Sequence, residues 1–148
     1  MKLFYILCHM VWGLFSLRKL SAGADQRTLR RKIQLWHQKT IKLLEISSTL
    51  SGDIPIGPCL IVSNHLSWVD ILLIGSFEDV RFVAKAEVAK WPVVGKLASG
   101  AGTLFVRRGD RYSAERAIAD VASELTHGHR VVIFPEGTST RGPMPIKF

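Results

Sequence analysis

The stretch Cys59-Leu-Ile-Val-Ser-Asn-His-Leu-Ser-Trp-Val-Asp70 decides how this chain folds. It opens with a short, continuously apolar run, typical of a buried strand, and its end begins a helix predicted from Trp68 to Phe77. His65 lies in the loop between them, and Asp70 falls in the first turn of that helix. A carboxylate there can accept the imidazole N–H, which leaves the other ring nitrogen available as a general base near neutral pH.

The same spacing also fits a helix cap. Ser67 to Asp70 matches the Ser-x-x-acid signature, in which the acid accepts the backbone N–H of Ser67. On that interpretation His65 is an incidental loop residue. The two roles are compatible, because a helix N-terminus disfavours imidazolium and keeps a histidine neutral and basic.

The rest of the body alternates strands with helices. The first strand is predicted at residues 59–63, and further strands at 80–84, 103–106 and 130–134, with helices at 87–99 (interrupted at Pro92 and Gly95) and 113–127. This alternation predicts an α/β fold, a layered sheet with helices on its faces. Functional residues gather at the carboxyl ends of strands in open α/β sheets, so we expect the site there.

Three polar blocks follow three of these strands. His65 follows the first strand, Arg107 and Arg108 follow the third, and Glu136-Gly137-Thr138 follows the fourth. Together the blocks supply a base, a guanidinium suited to phosphate, and a turn with N–H groups and a carboxylate. This combination indicates a ligand with both a hydroxyl and a phosphate. Taken singly, the arginines fit solvated charges at a strand end, and Pro135 to Gly137 fits a plain turn.

The basic charge is concentrated near the N-terminus. Residues 1–46 hold nine lysines and arginines against two acids, whereas the remaining residues are nearly neutral, and the net charge is +8. An anionic partner for this arm is either nucleic acid or a lipid surface. Leu3 to Leu17 is almost uninterruptedly apolar, which favours lipid. Its helix would cover about 22 Å of the roughly 30 Å hydrocarbon core, so it predicts an interfacial or partly inserted anchor rather than a span.

Two alternatives remain open in this region. Ser21 to Ala24 resembles a signal-peptide cleavage site, but Arg18 and Lys19 follow the apolar run, and export signals carry their charge before it. Residues 27–50 have amphipathic helical spacing, which fits either a core-packing helix or, given its basic charge, a helix lying on anionic lipid. If the anchor spans the bilayer, the charge behind it places the body in the cytoplasm.

We therefore divide the chain into a hydrophobic membrane anchor (residues 1–24), a basic amphipathic interfacial helix with its linker (25–56) and an α/β domain (57–148). Cys8 and Cys59 make neither a disulfide framework nor a metal set. Both are interpreted as small buried hydrophobic residues, consistent with a reducing compartment.

The three blocks resemble the first three motifs of the glycerolipid acyltransferases, the group that contains 1-acylglycerol-3-phosphate (lysophosphatidate) acyltransferase. The first motif, Asn-His-x4-Asp, matches Asn64, His65 and Asp70; the second, a Gly followed by Phe-hydrophobic-x-Arg, matches Gly102, Phe105 and Arg108; the third, Phe-Pro-Glu-Gly-Thr, matches residues 134–138. The stretch at residues 82–87 also looks typical. The motifs occur in the family's order and spacing, and the resemblance covers about residues 27–148.

The resemblance implies a glycerol-3-phosphate acyltransferase-like fold with N-terminal membrane-associated helices. It implies transfer of a fatty acyl group from acyl-CoA or acyl carrier protein to the free hydroxyl of a lysophospholipid such as 1-acylglycerol-3-phosphate, in phospholipid biosynthesis. His65 would be the base and Asp70 its orienting acid. The implied substrate-binding residues are Asn64, Gly102, Phe105, Arg108, Glu136, Gly137 and Thr138.

The remaining expectations concern partners and location. The acyl donor is a co-substrate, and no cofactor is implied. No metal is expected either, because His65 and Asp70 lack further ligands nearby in the sequence. The partners are anionic membrane lipids, the lysophospholipid acceptor and the acyl donor, without nucleic acid, at the cytoplasmic face of the inner (plasma) membrane.

The family continues past the third motif with further strands and a fourth motif, a proline within an apolar run. Here Phe148 follows soon after Pro145, so we expect a C-terminally truncated α/β domain with an unfinished sheet edge and an unpaired last strand. One alternative is a catalytically inactive, membrane-bound remnant or lipid-binding module. Another is a hydrolase that uses the same His–Asp pair, which the absence of a Gly-x-Ser-x-Gly elbow disfavours.

Overall fold

The computed structural model describes residues 2–20, 25–107, 109 and 111–137. Two helices, α1 (Lys2–Leu20) and α2 (Gln26–Leu43), come before the sheet. There follow, in chain order, β1 (Leu60–Val62), α3 (Val69–Phe77), β2 (Val80–Lys85), a 3-10 helix (Ala86–Lys90), α4 (Val94–Gly100), β3 (Leu104–Val106), α5 (Arg111–Thr126) and β4 (Arg130–Ile133). Every predicted strand and helix is present. The interruption at Pro92 falls between the 3-10 helix and α4, but the predicted interruption at Gly95 is wrong, because Gly95 lies within α4.

The four strands form one parallel sheet in the order β1-β4-β2-β3. Val131 and Val132 of β4 are fully buried, and Val132 forms a core with Val80 and Phe82 of β2. Parallel strands joined by helical crossovers are the α/β arrangement that the sequence predicts. This part of the fold prediction is confirmed.

The last strand among the described residues lies inside the sheet. β4 pairs with β1 on one side and with β2 on the other, so both of its backbone edges are hydrogen-bonded. The expectation of an unpaired last strand is therefore wrong, because a helical crossover lets a late strand enter between two earlier ones. The edges of the described sheet are β1 and β3, and on β1 the side chains of Leu60 and Val62 are exposed.

α2 ends at Leu43, earlier than the Leu50 that its apolar spacing predicts. Glu45 adopts φ of +58°, and its N–H donates to the Lys42 carbonyl (3.1 Å) while the following N–H donates to the Ile41 carbonyl (3.2 Å). These are the two hydrogen bonds of a Schellman motif, formed here without the glycine that usually marks it. The sequence therefore carries no signal for this helix end.

One face of α2 packs on α3. The side-chain amides of Gln34 and Gln38 donate to the carbonyls of Phe77 (3.0 Å) and Ser76 (2.9 Å) at the end of α3. These bonds satisfy carbonyls that a helix C-terminus leaves without intrahelical partners. The core-packing interpretation of this basic helix is therefore correct for the face that meets α3.

α1 packs on α2 through stacked aromatic rings. The His9 ring stacks with Trp12 and Trp36, at centroid distances of 5.9 and 5.1 Å. Its Nε2 lies 3.0 Å from the hydroxyl of Thr40, which itself donates to the Trp36 carbonyl. The hydroxyl therefore accepts the imidazole N–H, and burial lowers the pKa of His9.

The opposite face of α1 is apolar and exposed. It carries the side chains of Phe4, Tyr5, Leu7, Val11 and Phe15, and Trp12 at its border with α2 is also exposed. Cys8 is exposed on this helix, so its predicted burial is wrong, because its neighbour His9 takes the position against α2. Cys59 is half-buried. Among the described residues, no helix combines the length and the hydropathy that crossing a membrane requires.

Gly75 of α3 lies directly against His37 of α2, so Gly75→Ala should be destabilising. A Cβ at Gly75 would fall 1.8 Å from His37 Nδ1. We expect the free energy of unfolding to fall by about 1–3 kcal/mol in urea denaturation. In a His37→Ala background the added methyl has room, so the two losses should not add. Full additivity would contradict this close approach.

The burial of His37 makes stability depend on pH. Desolvation lowers its pKa from 6.5 to about 4, and within the described structure its Nδ1 has no hydrogen bond. Between these two pH values the unfolded chain binds the proton and the folded chain does not. Stability is therefore lost as the pH falls through this window, by about 3 kcal/mol in total.

We expect His37→Leu to remove this contribution. Urea denaturation across the window should show a dependence of stability on pH shallower by up to about 1.4 kcal/mol per pH unit. The same comparison at about pH 8, where the imidazole is neutral in both states, measures the packing cost of the substitution alone. Parallel profiles for the two proteins would show that His37 is protonated in the folded chain.

Candidate active site

His65 and Asp70 form a hydrogen-bonded pair just beyond the carboxyl end of β1. His65 Nδ1 lies 3.0 Å from Asp70 Oδ2, and the two side chains are only 18% and 19% exposed. Because the carboxylate accepts, Nδ1 carries the hydrogen and Nε2 presents its lone pair. The geometry expected from the sequence spacing is present, and it suits an oriented general base.

The same carboxylate oxygen caps α3. Asp70 Oδ2 also accepts the backbone N–H groups of Leu66 (2.7 Å) and Ser67 (2.8 Å), and the Ser67 hydroxyl accepts the N–H of Val69 (3.1 Å). Capping and imidazole orientation are therefore both carried out by one carboxylate. Its three donors fix the position of the oxygen against which the imidazole is aligned.

A tight turn follows β4. The N–H of Gly137 donates to the carbonyl of Phe134 (2.9 Å) and closes four residues, with Pro135 at the second position that its fixed φ suits. Glu136 is partly buried within the turn. The Gly137 N–H is thus used to build the turn that the sequence analysis expected to bind an anion.

The pairing of β1 with β4 brings this turn to His65. The hydrogen bonding between them continues one residue past β1, where the N–H of Ser63 donates to the carbonyl of Ile133, the last residue of β4 (3.2 Å). The rings of His65 and Phe134 stack, with centroids 4.2 Å apart and planes inclined by 25°. Sequence analysis missed Phe134 as a site residue, because an apolar motif residue carries no chemical signal until the strand order is known.

Asn64 and Arg107 lie at the carboxyl edge of the sheet, and two further predicted residues are not among those that the structure describes. Asn64 is exposed beside His65, and Arg107 is exposed after β3. Arg108 and Thr138 lie outside the described residues. Neighbouring strands are about 4.8 Å apart, so the ends of β1 and β3 are separated by about 14 Å. A ligand that reaches both ends is therefore elongated.

Gly102 lies at the amino end of β3, whereas the site lies at the carboxyl ends. Its φ is +80°, and a Cβ there would approach the Arg81 guanidinium to 3.4 Å. The structure does not bring Gly102 to His65, because a residue before a parallel strand is a strand length away from its far end. Its position favours a turn-forming role. Phe105 is half-buried within β3, where it pairs with Ala84.

A second polar cluster lies at the amino ends of the strands. Arg30 pairs with Asp79 (3.2 Å) and Arg81 with Glu124 (2.8 Å), and both guanidinium groups meet Nε2 of His129. Burial and then the two arginines lower the pKa of His129, so the neutral ring accepts from both. Each cation in this cluster has a carboxylate partner, which indicates a structural role.

The described residues contain no group of three or more histidine, cysteine, aspartate or glutamate side chains that could hold a metal ion. The expectation of a metal-independent reaction stays a prediction.

The sequence is similar to those of known acyltransferases. A family model described as acyltransferase matches residues 45–148. The chain is 43% identical over 129 residues to the lyso-ornithine lipid O-acyltransferase of Pseudomonas aeruginosa, which covers 86% of this chain and 49% of that protein. It is 32% identical over 142 residues to the 1-acyl-sn-glycerol-3-phosphate acyltransferase of Neisseria meningitidis, covering 92% of this chain and 55% of that one.

A solved structure shares the fold. The 1-acyl-sn-glycerophosphate acyltransferase of Thermotoga maritima matches with a TM-score of 0.67 at 20% identity, over 99% of this chain and 66% of that one. The chain spans about half the length of the curated relatives that it matches.

The capping role of Asp70 can be separated from its contact with the imidazole. We expect Asp70→Ala to lower the free energy of unfolding by about 1–2 kcal/mol, because two backbone donors lose their acceptor. In a His65→Ala background the same substitution should still cost about 1 kcal/mol, since the imidazole takes no part in those bonds. If chemical denaturation shows no loss in the free energy of unfolding for Asp70→Ala in that background, Asp70 does not cap α3.

Proposed function

The chain belongs to the acyltransferase family, and we propose that it transfers a fatty acyl group from an acyl thioester to the free hydroxyl of a lyso-lipid. The observation that supports this proposal is the His65–Asp70 pair beside the turn after β4. An imidazole held by a carboxylate at one nitrogen can remove a proton from an alcohol at the other.

In the proposed reaction, Nε2 of His65 takes the proton of the acceptor hydroxyl as its oxygen bonds to the thioester carbonyl carbon. The tetrahedral intermediate then expels the thiolate, which takes the proton from the imidazolium, so the products are an ester and a free thiol. Asp70 stabilises the imidazolium between these two steps. The nucleophile belongs to the substrate, so the protein forms no covalent intermediate.

The proposed acceptor is a lyso-lipid with an anionic headgroup, and lysophosphatidate and lyso-ornithine lipid are the two candidates. The printed names of the relatives support both, the second at the higher identity. We propose that Arg108 and the Glu136-Gly137-Thr138 segment hold the headgroup, because the blocks follow strands whose carboxyl ends share one edge. Acyl-CoA and acyl carrier protein both present the donor as a thioester.

We propose that the two N-terminal helices bring this site to the cytoplasmic face of an anionic membrane. The exposed apolar face of α1 supports this location, and so does the basic charge of α2. The ammonium group of Lys39 lies 5.3 Å from the centroid of the Trp12 ring. Aromatic and cationic side chains placed together are typical of helices that lie in the interface.

His65→Ala tests the proposed function. Purified protein in mixed micelles, given labelled acyl-CoA or acyl carrier protein thioester, should esterify one of the two candidate acceptors. Loss of the general base should lower the initial rate by about a hundredfold or more. The matched control is His127→Ala, which removes an exposed imidazole beyond the end of α5 and should keep the native rate.

The products distinguish the competing functions. An ester whose formation needs His65 supports the proposal, and the preferred acceptor then identifies the lyso-lipid class. Release of free fatty acid without ester would instead indicate a hydrolase. Absence of both products from protein that still floats with anionic vesicles would indicate an inactive lipid-binding module. Either of these last two results contradicts acyl transfer.

A further inference from the structure

Phe134 connects the proposed base to the hydrophobic core. Its ring stacks on His65 at 4.2 Å, and it also lies parallel to Phe82, with centroids 6.3 Å apart and planes inclined by 9°. Phe82 is only 7% exposed and belongs to the core cluster of the sheet, against which Phe134 packs. The imidazole therefore rests on a ring that the core holds in place.

The hydrogen bond to Asp70 does not by itself fix the tilt of the imidazole ring. It holds the ring at Nδ1, but the second side-chain torsion of histidine is broad, so the ring plane can tilt and carry Nε2 away from a substrate. An aromatic ring stacked on the imidazole face opposes this tilt. The two contacts together fix both the edge and the plane of the base.

The backbone around Phe134 is itself fixed. Its carbonyl accepts the Gly137 N–H, and the preceding carbonyl, that of Ile133, accepts the N–H of Ser63. The first bond closes the turn and the second ties the residue before Phe134 to the segment that leads to His65. The position of the ring is thus set by the turn and by the β1–β4 pairing.

The stack also has an electrostatic consequence. The face of an aromatic ring carries negative charge density and attracts a cation placed over it. His65 becomes a cation once it has taken the proton of the acceptor hydroxyl. A phenyl face at the observed distance therefore stabilises the protonated base formed in the reaction.

We propose that Phe134 is a positioning residue for His65, whose ring holds the imidazole plane and whose face stabilises the imidazolium. This inference rests on the proposed function, since it assigns Phe134 a part in the proton transfer. The contact between the two rings does not depend on a substrate, so it can be measured in protein that is not turning over.

Three variants test the proposal. Phe134→Leu keeps an apolar side chain but removes the aromatic face, and should lower kcat by about tenfold while the acceptor KM stays within about twofold. The acidic limb of the profile of kcat/KM against pH should move to lower pH by about half a unit to one unit. Phe134→Tyr keeps the ring and should restore both quantities. Ile41→Val is the control, because it truncates a buried side chain of α2 that contacts neither ring of the stack and should lower stability by a similar amount.

The control separates positioning from stability. Ile41→Val should lower the free energy of unfolding without moving the acidic limb. If Phe134→Leu does no more than Ile41→Val, the proposal is overturned, because Phe134 is then a core residue only. If Phe134→Tyr fails to restore the rate, the aromatic face is not what matters, and the proposal is again overturned.

NMR of the His65 ring tests the stack independently of acyl transfer. The ring current of Phe134 should shift the His65 ring-proton signals in the native chain and in Phe134→Tyr, but not in Phe134→Leu. Signals that are the same in all three proteins overturn the inference while leaving the proposed function intact. Signals that move as expected in a chain that forms no ester support the stack and count against the proposed function alone.

Discussion

The position of β4 between β1 and β2 organises both the core and the proposed active site. Val131 and Val132 are completely buried there, so β4 is the most buried strand of the sheet. The same position also sets the turn after β4 beside the loop after β1. The stack of His65 on Phe134 exists because these two strand ends are neighbours.

Stability and chemistry share a side chain at Asp70. One oxygen accepts two backbone N–H groups at the start of α3 and the imidazole N–H of His65. The proposed base is therefore aligned by a group that the helix needs for its own capping. The shared oxygen couples the start of α3 to the orientation of His65, so substitutions at Asp70 affect both.

The two N-terminal helices bury two histidines. His9 lies between α1 and α2, His37 lies between α2 and α3, and burial lowers the pKa of each. The rings stay neutral and pack as flat, partly apolar groups, His9 against Trp36 and His37 against Gly75. The free energy of unfolding falls as the pH falls, because these histidines bind protons more readily in the unfolded chain than in the folded one. The outer face of α1 remains apolar and exposed.

The features that could be predicted from the sequence are those that depend on residues close together in the chain. The alternation of strands and helices, the fold class and the contact of His65 with Asp70 all follow from spacings of a few residues, and local hydrogen bonds enforce them. The end of α2 is the local exception, because Glu45 takes the left-handed conformation that glycine usually marks. Four features became visible only in the folded chain: the order of the strands, the pairing of β4 on both sides, the position of Gly102 away from the site and the contact of Phe134 with His65. Parallel strands pair across long stretches of chain, and their order depends on how helices and strands fill the core together, which no short spacing encodes.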